Sequence, residues 1–404
     1  MPGNEPVDDD RIRRARAAGA GVVKRTPILT SATIGDRVGG AVVLKAENLQ
    51  RTGAFKIRGA MAKLHELGPG AAAGVVAGSA GNHAQAVAFA ARARGVPCEI
   101  YVPESASISK MEAARAYGAT VIRTGDAVEA ALDRARARAD ELGMTFVHPY
   151  DDPAIIAGQA TLGLELAEDL DELARIVVPL GGGGLASGVA MAVKRLRPDV
   201  TVWGVQAGVC APYVRGAIRS GAVTTLADGI AVKAPGTLTR PLVERWLDGV
   251  VTVEEDEIAD AMMLLMERAK LFVEGAGAVG VAALLAGKVA PAARGVTAVV
   301  LSGGNVDVGV LPGLIRRSET RAGRRLLVLV KITDRPGGLA GLLTVLGQEQ
   351  ANVIEVEHVR DGIDLHVREA AVQIALEVRD RAHAATVLEG LHRAGYAVEE
   401  VLHE

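Results

Sequence analysis

Four consecutive glycines, Gly181, Gly182, Gly183 and Gly184, constrain the fold of this chain more than any other feature. They follow an apolar run and precede an apolar, alanine-containing stretch that begins at Leu185. This order predicts a strand, a turn without side chains and the start of a helix. Several backbone N–H groups of such a turn can meet one anion, and the helix N-terminus adds a favourable dipole. The segment therefore predicts a phosphate site, for a nucleotide or for a phosphorylated cofactor.

The composition indicates an α/β fold with two or three domains. The chain has 404 residues, of which 49% are hydrophobic and only 3% aromatic. Its core must therefore consist mainly of Ala, Val, Leu and Ile, which is typical of helices packed on buried parallel strands. The net charge of −3, with both signs intermixed, indicates no nucleic-acid partner.

The cysteine content and the apolar runs bear on the compartment. The two cysteines, Cys98 and Cys210, are too few for a disulfide framework or a four-cysteine zinc site. Residues 1–10 lack the apolar region of a secretory signal, and the longest apolar run, at 276–286, is too short to cross a bilayer. We therefore expect a cytoplasmic protein with no membrane interaction.

Short apolar runs alternate with amphipathic stretches through the first three quarters of the chain. The predicted strands lie at residues 42–45, 74–77, 98–102, 120–123, 145–147, 176–179, 201–205 and 297–301. The predicted helices lie at residues 81–94, 109–117, 127–142, 154–166 and 255–271. This alternation predicts a mainly parallel sheet covered on both faces, in a segment long enough for two lobes with a cleft between them. Ligands of such folds bind beyond the carboxyl ends of the strands.

A second pattern begins after residues 316–325, which are charged, poor in apolar residues and typical of a linker. Residues 326–404 have the order β-α-β-β-α-β of a ferredoxin-like unit. Its strands are expected at 326–332, 352–358, 367–377 and 397–402, and its helices at 339–347 and 381–394. The predicted organisation is a catalytic domain at 1–315, a linker at 316–325 and a small domain at 326–404.

The sequence at residues 275–280 matches the dinucleotide-binding pattern G-x-G-x-x-G. That pattern requires a preceding strand, whereas residues 258–271 have the periodicity of a helix. We therefore interpret these glycines as points of close helix packing. The chain contains no G-x-x-x-x-G-K-[ST] sequence, which argues against a nucleoside triphosphate loop.

Lys56 is a candidate nucleophile. It follows Phe55 in an apolar segment with a glycine on either side, Gly53 and Gly59. Apolar surroundings lower the pKa of a lysine because they disfavour the ammonium form, and a neutral amine can form a Schiff base. A lysine on a helix surface is the alternative interpretation.

The sequence GSAGNHAQ at residues 78–85 follows a predicted strand and opens a helix. It predicts a second anion site, suited to a substrate carboxylate. The alternative is a capped helix start in which the histidine has only a structural hydrogen bond. The residues of this candidate site are Ser79, Ala80, Gly81, Asn82 and His83.

A fourth segment, SGGN, begins at Ser302 after another predicted strand. Together, the sequences AFKIRGA, GSAGNHAQ, GGGGL and SGGN resemble the fold-type II pyridoxal-phosphate enzymes, and most closely the threonine dehydratase (threonine ammonia-lyase) family. They occur in the order and with the spacing of that family. The resemblance covers the chain from about residue 10 to residue 320.

The resemblance implies a two-lobed fold like that of tryptophan synthase β, with pyridoxal 5′-phosphate as the cofactor. It implies that Lys56 binds the cofactor covalently and takes the Cα proton of the substrate, and that Ser79 to His83 receive the substrate carboxylate. The remaining implied cofactor contacts are Phe55 beside the ring, Asn82 at the ring hydroxyl, Ser302 at the pyridine nitrogen, and Gly181 to Gly184 with Leu185 at the phosphate. A neutral Ser302 makes the ring a weaker electron sink, which favours β-elimination over transamination.

The chain departs from the pattern of its relatives at two positions. Ala54 stands where a serine is usual, so a local hydrogen bond is missing. Ala80 stands where the related serine racemases carry a serine that serves the opposite face of Cα, so we expect no racemisation. The stretch at 206–212 lacks the carboxylates with which racemase-type enzymes hold a divalent cation, and no metal is expected there.

The small domain resembles an ACT domain, an amino-acid-binding regulatory module, in the sequence DRPGGL that begins at Asp334 and in Asn352 with Val353. The resemblance implies that Gly337 and Gly338 admit an amino-acid effector close to the backbone, where Asp334 and Asn352 hold it. A purely structural dimerisation module is the alternative.

The resemblance thus implies an L-threonine ammonia-lyase that produces 2-oxobutanoate and has a side activity on L-serine. We expect a homo-oligomer, dimer or tetramer, in isoleucine biosynthesis or threonine catabolism, regulated by a branched-chain amino acid. The alternatives are an L-serine-preferring dehydratase and a non-catalytic amino-acid sensor. The intact Lys56 argues against the sensor.

Overall fold

The structure, a computed structural model, describes residues 6–218, 223–360 and 365–401. Its contacts divide the chain into two compact units, Met1–Asp307 and Val308–Glu404. Each unit has a hydrophobic core of its own. Within the described residues, no helix is both long and apolar enough to cross a membrane.

The first unit contains two sheets, one for each predicted lobe. Its strands are β1 (Ile28–Thr30), β2 (Val42–Ala46), β3 (Val75–Gly78), β4 (Cys98–Val102), β5 (Thr120–Arg123), β6 (Thr145–Phe146), β7 (Leu173–Pro179), β8 (Thr201–Ala207), β9 (Gly249–Val253) and β10 (Val296–Leu301). The six-stranded sheet has the order β1-β2-β10-β7-β8-β9, and the four-stranded sheet has the order β5-β4-β3-β6. Every pairing is parallel except that of β1 with β2. The prediction of a mainly parallel α/β fold is therefore confirmed.

Helices cover both sheets, and small residues let them approach closely. They are α1 (Asp9–Gly19), α2 (Ala32–Val38), α3 (Ile57–Leu67), α4 (Asn82–Arg94), α5 (Ile108–Ala116), α6 (Val128–Leu142), α7 (Pro153–Asp169), α8 (Gly184–Leu196), α9 (Pro212–Arg215), α10 (Thr239–Trp246), α11 (Glu255–Leu264) and α12 (Gly275–Leu285). A Cβ at Gly163 of α7 would lie 2.6 Å from the Val189 carbonyl oxygen of α8. A Cβ at Gly188 of α8 would lie 2.7 Å from the Ile156 carbonyl oxygen of α7. Glycine is thus required where these two helices meet.

The predicted strands of this unit all occur, but β1 and β9 were missed. Both lie at an edge of the six-stranded sheet. Edge strands are less buried than central ones, and most residues of these two are half-exposed. Their sequences therefore lack the strong apolar pattern by which the central strands are recognised.

The glycines at 275–280 begin helix α12, and no strand directly precedes them. The predicted helix at 255–271 ends earlier, because α11 passes into a π-helical turn at Leu265–Ala269. A Cβ at Gly280 would lie 2.7 Å from Val299 Cγ1 of β10. These glycines therefore serve close packing, as predicted, although the neighbour is a strand rather than a helix.

A buried cluster of ion pairs fixes the start of α3. Arg58 Nε donates to Glu47 Oε2 at 2.8 Å, and Arg58 Nη1 donates to Glu165 Oε1 at 2.7 Å. Lys45 Nζ lies 2.7 Å from the other Glu165 oxygen. All four side chains are buried. Because two cations face two carboxylates, the cluster is neutral and ties α3 to β2 and α7.

The second unit has the predicted β-α-β-β-α-β order. Its elements are α13 (Leu311–Arg321), β11 (Arg325–Thr333), α14 (Gly338–Gln348), β12 (Asn352–Val359), β13 (Glu369–Glu377), α15 (Arg381–Arg393) and β14 (Ala397–Glu400). The sheet is antiparallel with the order β12-β13-β11-β14, which is the ferredoxin-like arrangement. Residue 402, the last of the predicted final strand, lies outside the described residues.

The predicted linker at residues 316–325 is mostly helical, because α13 continues to Arg321. Its charged residues belong to a solvated helix rather than to irregular chain. Arg324 just beyond the helix pairs with Glu319 at 2.8 Å. Only Leu314 of α13 is buried, so the composition resembles that of a linker although the backbone is regular.

Candidate active site

The site residues predicted in the first unit all line one cavity of about 440 Å³. The cavity lies at the carboxyl ends of β3, β7 and β10, as expected for a parallel α/β fold. The sequence-predicted residues that line it are Phe55, Lys56, Ser79, Ala80, Gly81, Asn82, His83, Gly181, Gly182, Gly183, Gly184, Leu185 and Ser302.

Lys56 stands immediately before α3, and its Nζ donates to the Pro149 carbonyl oxygen at 2.7 Å. The backbone N–H of Phe55 donates to the Ser302 carbonyl oxygen at 3.0 Å, which holds the lysine turn against the end of β10. Burial lowers the pKa of Lys56 to about 8, although the carboxylate of Glu274 acts in the opposite direction. A substantial fraction of Lys56 is therefore a neutral amine near neutral pH.

The glycine turn between β7 and α8 forms a cradle of backbone N–H groups. Gly183 has φ of 96° and caps α8, and a Cβ at Gly182 would overlap the ring of Tyr150. Among the described residues, the N–H groups of Gly181 to Leu185 donate to no protein acceptor. Buried N–H groups are rarely left without a partner. The cradle is thus suited to an anion at a helix N-terminus.

Residues that the sequence did not indicate support the glycine turn. Thr239 Oγ1 donates to the Gly182 carbonyl oxygen at 2.6 Å, and the Tyr213 hydroxyl donates to the same oxygen at 3.2 Å. The Asp151 carboxylate accepts the N–H of Thr239 at 2.9 Å. These residues lie far apart in the sequence and belong to no motif, so no sequence signal could have identified them.

The start of α4 provides a second set of N–H groups. The Ser79 hydroxyl accepts the N–H of Gly81 at 3.2 Å. Within the described part of the chain, the N–H groups of Ala80, Asn82 and His83 have no protein acceptor. His83 Nε2 lies 2.9 Å from the Val147 carbonyl oxygen, and burial, with the nearby charge of Lys56, lowers its pKa to about 3. His83 is therefore neutral and donates to a backbone oxygen.

The opposite wall of the cavity carries Ser302, Asn82 and two further polar residues. Ser302 is buried, and its hydroxyl makes no hydrogen bond within the described residues. Asn82 Nδ2 donates to Glu274 Oε1 at 2.7 Å, and Asn305 Nδ2 donates to Asn82 Oδ1 at 2.7 Å. Sequence reasoning missed Glu274; the available signal was an acidic residue directly before the small residues of α12.

Two ion pairs cross the wall of the cavity. Lys110 of α5 pairs with Asp228 at 2.7 Å, and Lys233 pairs with Glu129 of α6 at 2.8 Å. Both therefore join helices of the four-stranded lobe to residues 228–233. Across the described residues, no cluster of His, Cys, Asp and Glu side chains forms a candidate metal site.

These features fit a phosphorylated aromatic cofactor bound to a lysine. The N–H cradle of the glycine turn suits the phosphate, and the unpartnered Ser302 hydroxyl suits a polar ring atom. Lys56 lies in the same cavity with a lowered pKa. None of these observations indicates a nucleotide, because the other glycine pattern of the chain only packs α12.

Comparison with known proteins supports this assignment. A family profile described as "Pyridoxal-phosphate dependent enzyme" matches residues 20–303. The chain is 43% identical to an L-threonine ammonia-lyase of Thermotoga maritima, with 96% of this chain and 98% of that protein aligned. The chain therefore belongs to the family of pyridoxal-phosphate dependent enzymes, and the predicted cofactor, pyridoxal phosphate, is confirmed.

Two solved structures place the chain more closely within that family. A threonine deaminase from the organism abbreviated T.th. has a TM-score of 0.69 and 38% identity, and covers 74% of this chain and 99% of its own. Maize serine racemase has a TM-score of 0.72 and 36% identity, and covers 78% of this chain and 99% of its own. Both similarities confirm the predicted fold-type II core.

The residues predicted for the regulatory site do not converge within one chain. Asp334 follows the end of β11, where Thr333 pairs with Glu369 of β13 and the Asp334 N–H donates to the Arg368 carbonyl oxygen at 2.9 Å. Asn352 pairs with Glu377, at the other end of β13. At roughly 3.3 Å per residue along a strand, the two ends are more than about 20 Å apart. The prediction that Asp334 and Asn352 hold the same ligand is therefore wrong for a single chain.

The turn after β11 nevertheless has the predicted backbone. Gly337 caps α14 with φ of 92°. A Cβ at Gly338 would overlap the Thr333 carbonyl oxygen. Asp334 pairs with Arg360 at 2.9 Å, and Asn352 Nδ2 donates to Glu377 at 2.9 Å.

Proposed function

We propose that this protein is an L-threonine ammonia-lyase that eliminates water from L-threonine and releases 2-oxobutanoate and ammonia, with a side activity on L-serine. The observation that carries the proposal is the convergence of Lys56, the glycine cradle, Asn82 and Ser302 on one cavity. The 43% identity to the Thermotoga maritima enzyme, over nearly the whole of both chains, supports the same substrate.

The residues of the cavity have complementary roles in this proposal. The free N–H groups of Gly181 to Leu185 bind the cofactor phosphate, and Phe55 lies beside the ring. Ser302 hydrogen-bonds the pyridine nitrogen, and Asn82 donates to the ring hydroxyl. The bound cofactor supplies an electron sink for the electrons released at Cα of the substrate.

Lys56 is the catalytic base of the proposal. Its Nζ, with a pKa lowered to about 8 by burial, takes the Cα proton in the neutral form. His83 is unsuited to this task, because its pKa of about 3 and its bond to Val147 leave it neutral and engaged. The free N–H groups at the start of α4, with Ser79 and Gly81, receive the substrate carboxylate and orient Cα towards Lys56.

Serine racemisation is the activity that the structural similarity to maize serine racemase raises. Ala80 opposes it, because a methyl group cannot exchange a proton on the second face of Cα. A preference for L-serine over L-threonine is the second candidate within the same chemistry.

We further propose that the second unit is an ACT-like module that binds a branched-chain amino acid. The βαββαβ order and the glycine turn at Gly337 and Gly338 support this. Because Asp334 and Asn352 lie at opposite ends of the sheet, a site that uses both needs a second copy of the chain. The edge strand β12 exposes Ile354 at 56%, which supports a homo-oligomer, dimer or tetramer, of this cytoplasmic enzyme.

The test is an assay of 2-oxo acid formation with L-threonine and L-serine, repeated with L-isoleucine and with L-valine present. We expect product from both substrates, more from threonine, and a changed rate with one of the branched-chain amino acids. The Lys56→Ala variant is the matched control and should form no product. A wild-type protein that holds pyridoxal phosphate but forms no 2-oxobutanoate would refute the proposed substrate.

A further inference from the structure

The cavity contains a buried carboxylate that the proposed chemistry does not use. Glu274 is 6% exposed, lines the cavity and stands at the N-cap of α12. It donates no side-chain hydrogen bond as a carboxylate, and its Oε1 accepts from Asn82 Nδ2 at 2.7 Å. A buried carboxylate is costly unless its hydrogen bonds serve a purpose.

Small residues and backbone hydrogen bonds hold Glu274 in this place. A Cβ at Gly303 would overlap Glu274 Oε1, and a Cβ at Gly277 would lie 2.8 Å from the Gly303 carbonyl oxygen. The N–H of Glu274 donates to that same oxygen at 3.1 Å, and the backbone N–H of Asn305 donates to the Glu274 carboxylate. The glycines that imitate a dinucleotide motif thus bring Glu274 against the end of β10.

Glu274 and Asn305 grip the Asn82 amide from two sides. Asn305 Nδ2 donates to Asn82 Oδ1 at 2.7 Å and to the Thr52 carbonyl oxygen at 2.8 Å, so both of its hydrogens are engaged. Rotating the Asn82 amide by half a turn would place its NH₂ against the NH₂ of Asn305. It would also place its oxygen against the carboxylate of Glu274. Only one orientation satisfies both neighbours, and it leaves one Nδ2 hydrogen of Asn82 without a protein acceptor among the described residues.

We propose that Glu274 is a positioning residue for the cofactor: with Asn305, it fixes the Asn82 amide so that its remaining Nδ2 hydrogen is presented to the ring oxygen. This inference rests on the role proposed for Asn82. It assigns Glu274 no contact with the reacting atoms, since the carboxylate acts through Asn82.

The charge of Glu274 is also coupled to the site. Burial and repulsion from Asp228 raise its pKa to about 7, whereas the hydrogen bond from Asn82, the charge of Lys110 and the N–H of Asn305 act in the opposite direction. Its negative charge in turn raises the pKa of Lys56. An uncharged residue at position 274 should therefore lower the pKa of Lys56.

A double-mutant cycle on cofactor affinity tests the proposal. The dissociation constant of pyridoxal phosphate is measured for the wild type, Glu274→Leu, Asn82→Ala and the double variant. Loss of a hydrogen-bond partner for Asn82 should weaken binding about ten- to a hundredfold in the wild-type background. In the Asn82→Ala background the same change should cost less than about threefold, because no amide remains to be oriented. An equal loss in both backgrounds would show a general structural role and overturn the proposal.

The isosteric variant Glu274→Gln tests the proposal even if the leucine variant does not fold. A glutamine oxygen can still accept from Asn82, so affinity should stay within about threefold of the wild type. The midpoint of the pH dependence of cofactor reconstitution, which reports Lys56, should fall because the negative charge is lost. A tenfold weaker affinity, or an unchanged midpoint, would contradict the proposal.

Glu254→Gln is the matched control, because Glu254 occupies the N-cap of the neighbouring helix α11 and does not line the cavity. It should match the wild type in both measurements. Cofactor binding does not depend on the substrate. If the wild type binds pyridoxal phosphate but does not convert threonine, the proposed function fails without affecting this test.

Discussion

Lys56 is where the chemistry of a single side chain is most affected by the fold. Apolar neighbours in the sequence already predicted a lowered pKa, and the structure gives about 8 with burial as the main cause. The opposing effect of Glu274 could not be read from the sequence, because the two residues meet only when α12 docks against β10. The sequence therefore identified the nucleophile, and the tertiary structure determines its charge.

The pH dependence of cofactor reconstitution should report this pKa. Only the neutral amine of Lys56 reacts with the cofactor aldehyde. The rate for cofactor-free enzyme should therefore rise about tenfold per pH unit below the pKa and level off above about pH 8. The measurement is stopped-flow absorbance at a fixed cofactor concentration. A midpoint near that of an unperturbed lysine, about 10.4, would show that burial does not act on Lys56.

At the scale of elements, the glycine turn before α8 shows what a short motif can specify. The motif predicted both the turn and the N–H cradle, because both are properties of the backbone. It did not predict Thr239, Tyr213 and Asp151, which hold the turn from distant parts of the chain.

Gly183→Ala should damage the cradle. Gly183 has φ of 96°, and its new Cβ would lie 2.9 Å from Thr239 Cβ and against the Tyr213 hydroxyl. We expect cofactor affinity to fall more than about tenfold, since a displacement of the turn misdirects several N–H donors. Equilibrium dialysis with pyridoxal phosphate measures it.

Gly143→Ala is the control for backbone strain alone. Gly143 has φ of 63° and open space around its Cβ position. It should lower the free energy of unfolding by about 1–2 kcal/mol without changing cofactor affinity. Equal loss of affinity in both variants would contradict a specific role for the glycine turn.

Two element-scale interpretations were wrong for reasons of backbone geometry. Residues 316–321 resemble a linker in composition but continue helix α13, because charged residues also suit a solvated helix face. Asp334 and Asn352 each follow a plausible motif, but the antiparallel register of β12, β13 and β11 places them at opposite ends of the sheet. Motif similarity carries no information on register.

At the scale of the whole molecule, the chain consists of two units with separate cores. The threonine deaminase structure covers 74% of this chain and 99% of its own, so a related core exists without a counterpart of the second unit. Catalysis and regulation should therefore be separable.

A variant that ends at Asp307 tests this separation. It should retain pyridoxal phosphate and form 2-oxobutanoate from threonine within about threefold of the full chain, because every cavity residue lies in the first unit. Its rate should not respond to isoleucine or valine. The full-length protein assayed in parallel is the control. A truncated protein that folds and still responds to the effector would contradict a regulatory role of the second unit.

The sequence by itself determined the α/β class, the central strands, the glycine cradle, Lys56 and the cofactor. Each of these depends on local pattern: apolar periodicity, glycine at a strand end, or a motif with its spacing. Only the tertiary structure decided which residues complete the site. Glu274, Asn305 and Thr239 are brought to it by strand order and helix docking, and these arise from packing between segments distant in the chain. The same reason separates Asp334 from Asn352, because register is set by pairing across the sheet and not by either motif.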